Sequence, residues 1–254
     1  MPDDTPSHDV SRNYPPMEGA AAGAQTPAPL GSDSLERSAE HGLREGASGH
    51  RDDSRDTRPD RATRFVETTL GVLSYTQLAP LLGERVTRLE EAVQAEEFRS
   101  RSLDESLLIE FHACICADLT PEWAGKWRTV EVTVGPLTPP NPYQLPMLMR
   151  DYVLDLQARW DAAAADDFDL TLEFLAFAEG RFLSIHPFRD FNGRTIRVFL
   201  AELLRRLDFP LVNLAAENEA DRAHYFTALE AADRRDWLPL IAIWQQRITE
   251  ATPF

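Results

Sequence analysis

From Phe65 onward, apolar residues recur at three- and four-residue steps. Leu78, Leu81, Leu82, Val86, Leu89 and Val93 make one stripe and predict a first helix. Leu103–Leu119 predicts a second, with Asp104 as N-cap and Leu107, Leu108, Phe111, Ile115 and Leu119 on its buried side. A third runs from Pro142 to about Trp160. Asp169–Ile185 is apolar nearly all round and belongs in the middle of the domain. A fifth helix spans about Gly193 to Leu207, and two more, near 219–230 and 234–248, close the chain. One segment departs from this period. Trp127–Gly135, WRTVEVTVG, alternates Val130, Val132 and Val134 with polar residues and stops at Gly135-Pro136, as a short strand or hairpin does. A lone hairpin among helices has no sheet to join, so it packs on helices or offers its edge to an extended segment.

The first 60 or so residues contain no Phe or Trp and are rich in Pro, Gly, Ser, Asp and Arg. Such a segment buries too little apolar area to offset its ordering entropy, so residues 1–60 are expected to form a disordered tail, solvated or used for recognition or export, and 61–254 the folded domain. The net charge of −16 argues against nucleic acid as main partner. Lys126 is the sole lysine, so an anion site must be built from arginines, backbone amides or a metal. Cys114 and Cys116 lie two apart on a helix, point to different faces and are expected to be reduced. With neither a membrane-length apolar run nor a secretory signal, the expectation is a soluble cytoplasmic protein with no membrane partner, or an effector exported by its tail.

The chemistry concentrates in His186–Arg197, HPFRDFNGRTIR, which joins the buried fourth helix to the amphipathic fifth. A loop at a helix N-terminus is an anion site, because unpaired amides and the positive dipole end face outward. Asn192-Gly193 offers the left-handed backbone such a loop needs. Arg194 and Arg197, three apart, can converge on one anion. Asp190 stands where a carboxylate could hold Mg²⁺ between phosphate oxygens. His186 has an unperturbed pKa of roughly 6.5, suited to a general base. Together these groups describe phosphoryl or nucleotidyl transfer; a solvated turn with a structural histidine is the bland alternative. Of the six histidines, only His186 sits among such partners, and His112 reads as a hydrogen-bonded core residue.

The sequence resembles Fic-domain proteins, whose signature is H-x-F-x-[DE]-[GA]-N-[GK]-R-x-x-R. His186, Phe188, Asp190, Asn192, Gly193, Arg194 and Arg197 match it. SLLIEFHACI, GKWRTVEVTVGP and PNPYQLPMLM resemble the family's His-bearing helix, target-docking hairpin and following helix, so the likeness covers roughly residues 63–248. It implies an all-α fold, a Fic-type helical bundle with a small β-hairpin flap. It further implies a protein adenylyltransferase using ATP and Mg²⁺ on a Ser, Thr or Tyr hydroxyl of a target protein, or of the enzyme itself. His186 would be the base and Asp190 the metal ligand. Asn192, Gly193 and Arg194 would cradle phosphates, Arg197 would hold the γ-phosphate, and Phe188 would plug the loop into the core. Thr129, Val130, Glu131, Val132, Thr133 and Val134 would register the target. The same site could transfer UMP, phosphate or phosphocholine. Phe191 departs from the Gly or Ala of the signature. Its ring either turns into the bundle and leaves the amides intact, or crowds the nucleotide and leaves a non-catalytic regulatory protein. Thr63–Thr68, TRFVET, resembles the family's inhibitory helix, [ST]-x-x-x-E-[GN], expected here within 61–75; Thr63 would open it and Glu67 would brake Arg197.

Overall fold

The computed structural model describes residues 65–134, 137–163, 167–214 and 218–252. The expected tail, Thr63, and the Gly135-Pro136 end of the flap lie outside them. Among the described residues, seven α-helices follow a two-stranded sheet: β1 (Phe65–Thr68), β2 (Gly71–Ser74), α1 (Tyr75–Gln94), α2 (Glu105–Cys116), a 3₁₀ turn at Pro142–Gln144, α3 (Leu145–Ala163), α4 (Phe168–Ile185), α5 (Asn192–Arg206), α6 (Glu219–Asp233) and α7 (Leu238–Ala251).

Local chemistry sets the starts. Ser74 and Gln77 form a reciprocal capping box at α1. Asp104 accepts from the Ser106 amide at α2, and Asp167 from the Leu170 amide at α4. The helix α4 is the axis: it packs against α3, α5, α6 and α7, while α5 also meets α1 and α2. Gly180 permits the close approach of the last two helices, since a Cβ there would stand 2.8 Å from the Ala232 Cβ and from Leu240. Tyr152, buried on α3, donates to the Ala178 carbonyl of α4 at 3.0 Å. Both cysteines are free thiols, Cys114 exposed and Cys116 buried.

Two expectations are corrected. The segment expected to hold a helix near 61–75 is, from 65 to 74, an antiparallel hairpin pairing Val66 with Leu73 and Thr68 with Gly71. Gly71, at φ 101°, ends any helical path, and the β-branched Val66, Thr68 and Val72 suit extended backbone. The Thr69 amide ties the hairpin to the Leu119 carbonyl at 2.8 Å. The flap, in turn, is no regular ladder. Its described pairing is limited to single bridges, Trp127 with Phe188 and Val134 with Leu137, and residues 129–133 run between them outside any strand. No described helix is long and apolar enough to cross a membrane.

Candidate active site

The helix α4 ends at His186, which takes left-handed backbone (φ 50°, ψ 61°) and turns the chain out of the core. Phe188 then plunges back in. It is fully buried and stacks on His112, with ring centroids 3.8 Å apart and planes within 4°. The Asn192 side chain closes the loop: its oxygen accepts from the Phe188 amide and its nitrogen donates to the Phe188 carbonyl, each at 2.9 Å. Asn192 is itself buried, and its side-chain amide is committed to the loop.

The second left-handed residue is Phe191 (φ 59°, ψ 15°), the N-cap of α5, which makes no side-chain capping bond. The left-handed turns therefore fall at His186 and Phe191, not at the expected Asn192-Gly193, because the helix already begins at Asn192. The amides of Arg194 and Thr195 turn back to the Phe191 carbonyl at 3.0 Å, which leaves those of Asn192 and Gly193 as the outward-facing donors of the first turn. Nothing lies within 4 Å of where a Gly193 Cβ would sit, so the approach to these donors is open.

The Phe191 ring is only 3 % exposed and points into the bundle, 5.6 Å from Trp123 and 6.3 Å from Tyr75 between centroids. Of the two courses open to Phe191, the structure takes the one that spares the amides. Arg194 is half-buried, with its guanidinium 5.9 Å from the same ring. Burial pulls its pKa down first; Tyr75 and Asp190 raise it and Arg197 lowers it further, which marks the two arginines as near neighbours. Arg197 is exposed and lines a cavity of about 280 Å³ with Glu90.

Asp190 is held from three sides. One carboxylate oxygen accepts from the Phe191 amide at 2.8 Å and from the Tyr75 hydroxyl. Its carbonyl accepts from His112 Nε2 at 3.2 Å, while His112 Nδ1 accepts from the Gly125 amide at 2.8 Å. These bonds define the tautomer: His112 is neutral, with its proton on Nε2. Burial depresses its pKa to about 4, against the pull of the Asp190 bond. Asp190 and Arg189 also line a larger cavity of about 540 Å³ with Glu67 and Trp123. Among the described residues no group of three or more His, Cys, Asp or Glu side chains could hold a metal ion alone.

The structure thus brings His186, Phe188, Asp190, Asn192, Gly193 and Arg194 into one loop and helix start, with Arg197 beyond Arg194. The flap residues Thr129, Val130, Glu131 and Thr133 are exposed, with Val132 and Val134 half-buried. Glu67 does not fit the inhibitory pairing as expected. It is exposed on strand β1 and lines Asp190's cavity, whereas the acid in Arg197's cavity is Glu90 of α1. Burial raises the Glu90 pKa, and Arg197 opposes that. Sequence reasoning also missed Tyr75, Trp123 and Arg128. The buried Arg128 sends its guanidinium to backbone carbonyls, one of them that of His186. An arginine amid the alternating valines of the flap was the available signal.

Residues 102–204 match the profile of the Fic/DOC family. Protein adenylyltransferase fic-1 of Caenorhabditis briggsae is 32 % identical over 150 residues, 58 % of this chain and 27 % of its own length. Protein adenylyltransferase Fic of Nematostella vectensis is 28 % identical over 153 residues, 60 % of this chain and 35 % of its own. The chain thus spans about a quarter to a third of the curated relatives it matches. Among solved structures, the BepC protein of Bartonella tribocorum with bound AMPPNP superposes with a TM-score of 0.57 at 17 % identity, covering 74 % of this chain and 93 % of that one. Fic-1 (residues 134–508) of C. elegans gives a TM-score of 0.50 at 26 % identity, covering 65 % and 47 %.

Two outcomes follow from this geometry. Phe191→Gly relieves a left-handed residue worth about 1–2 kcal/mol but empties an aromatic site worth about 3–5 kcal/mol. It should therefore lower the melting temperature without tightening ATP binding in calorimetry; a clear gain in affinity would mean the ring obstructs the site. For His112, the unfolded imidazole protonates near 6.5 and the folded one only near 4. Its contribution is therefore whole above pH 6.5 and is lost as pH falls toward 4, by up to about 3 kcal/mol. Urea unfolding from pH 7 to 4 should show a steeper loss for the wild type than for His112→Gln, and parallel slopes would contradict the assignment.

Proposed function

We propose that the chain, whose residues 102–204 match the Fic/DOC profile, is a protein adenylyltransferase of that kind, moving AMP from ATP to a hydroxyl of a protein. The observation that carries this reading is the open, uncapped start of α5 beside Arg194, with the Phe191 ring buried behind it. A triphosphate there meets the Asn192 and Gly193 amides and the Arg194 guanidinium, with the dipole of α5 aligned to its charge. Arg197, exposed one turn on, suits the far phosphate. The names of the curated relatives, and the AMPPNP held by the BepC protein, favour ATP as donor.

Mg²⁺ fits the donor set. This hard cation is held by one or two carboxylates plus substrate phosphates rather than by a cage of side chains. Asp190 would hold it, and the ion would neutralise charge on the phosphates. His186, at the head of the loop, takes the proton of the incoming hydroxyl. The oxygen bonds to the α-phosphorus, the bond from that phosphorus to the β-phosphate bridging oxygen breaks, and pyrophosphate leaves with the electron pair. The exposed backbone of Thr129–Val134 lays the target segment alongside by strand-like pairing. The hydroxyl belongs to a second protein or to the chain itself, and the net charge of −16 suits a cytosolic setting.

Incubation with labelled ATP and Mg²⁺ should place label on the enzyme or on a lysate protein. Intact mass should read an added AMP rather than UMP, phosphate or phosphocholine. His186→Ala should lower the rate by about 10²- to 10⁴-fold, and a rate near wild type would remove His186 from the mechanism.

A further inference from the structure

Arg128 is 3 % exposed, and its guanidinium is spent on main-chain carbonyls from two separate segments. Nε donates to the His186 carbonyl at 2.8 Å, and Nη2 reaches the Ile185 carbonyl at 3.4 Å. Nη1 donates to Val130 at 3.1 Å and Nη2 to Pro140 at 2.6 Å. The first pair is the C-terminal end of α4, where a cation meets the negative end of the helix dipole. The second pair marks the two ends of the flap. The Arg128 amide adds a bond to the Pro187 carbonyl at 2.8 Å, beside the Trp127–Phe188 bridge.

Each partner needs this. His186 sits in left-handed backbone, where no helical bond fixes its carbonyl, so a donor from outside must set its orientation. The flap residues 129–133 make no ladder, so beyond the single Trp127–Phe188 bridge the flap's root is held by side-chain bonds rather than by continued strand pairing. One planar fork does both, which a lysine ammonium, a point charge on a flexible stem, cannot do.

We propose that Arg128 is a positioning residue that clasps the root of the flap to the residue carrying the base, so that a segment seated on the flap and the His186 imidazole keep a fixed relation. This rests on the reading of His186 as the base. Phosphate binding depends on the start of α5, which Arg128 does not touch. The clasp therefore acts on transfer and not on nucleotide affinity. A residue that merely stabilised the fold would weaken both.

The test uses the full chain. With labelled ATP and Mg²⁺, Arg128→Lys should slow self-labelling by about 10²-fold, the cost of a small misplacement of reacting groups. ATP affinity in calorimetry should stay at the wild-type value. Hydrogen–deuterium exchange should quicken together in peptides covering 126–134 and 182–188, and not in those covering the start of α5. Methylguanidine should restore part of the rate to Arg128→Ala, if that variant folds, but none to Arg128→Lys. A wild-type rate in Arg128→Lys would overturn the proposal. So would a parallel loss of rate and ATP affinity, or a flap that loosens while 182–188 stays unchanged. If the wild type labels neither itself nor a lysate protein yet the two regions loosen together, the clasp stands and adenylyl transfer is what fails.

Discussion

The structure depends on one unmet need: the first two amides of α5 have no carbonyl to bond, and the residue at the N-cap cannot supply a side-chain acceptor. Ser, Thr, Asp or Asn at that position would turn a side-chain oxygen onto them. Phe191 offers only a ring, and the ring is buried. The adjacent Asn192, which could have served, commits its side chain to Phe188. The amides of Asn192 and Gly193 are left for something from outside, and an anion is the partner that a helix N-terminus favours. A sequence that caps this helix well would be more stable in isolation and would have no anion site.

Holding those amides in place requires two left-handed residues within six positions, His186 and Phe191, neither of them glycine. Each costs about 1–2 kcal/mol. The surroundings offset this locally. Phe188 is stacked on His112, Phe191 is packed among Trp123 and Tyr75, and Asp190 is bonded through both side chain and carbonyl. The loop is thus built from the inside, with aromatic anchors facing the bundle and polar atoms facing the open side. Phe191, the residue that departs from the Fic signature, is one of the anchors.

The helices were legible because burial imposes a 3.6-residue period that survives in any single sequence. The nearly all-apolar pattern of α4 correctly placed it at the centre, with four helices around it. The candidate site was legible as a group because its residues are contiguous in sequence. What failed was long-range or depended on backbone angle. The strands β1 and β2 are four residues each, too short for a period, and the TRFVET likeness favoured a helix that Gly71 forbids. The left-handed turn was assigned to Asn192-Gly193 because those residues tolerate it best, whereas the fold places it at Phe191 and supports it by packing. That Glu90, not Glu67, shares a cavity with Arg197 follows from the packing of α1 on α5, which no local pattern records. Arg128 likewise becomes conspicuous only when the carbonyls of Ile185, His186, Val130 and Pro140 are seen to converge on it.

The most direct measurement is a crystal structure of the protein soaked with a non-hydrolysable ATP analogue and Mg²⁺. The account predicts phosphate oxygens on the amides of Asn192 and Gly193 and on Arg194, the metal on Asp190, the α-phosphorus on the His186 side, and the Phe191 ring still against Trp123. A nucleotide seated elsewhere, or a Phe191 ring displaced into the phosphate position, would contradict it.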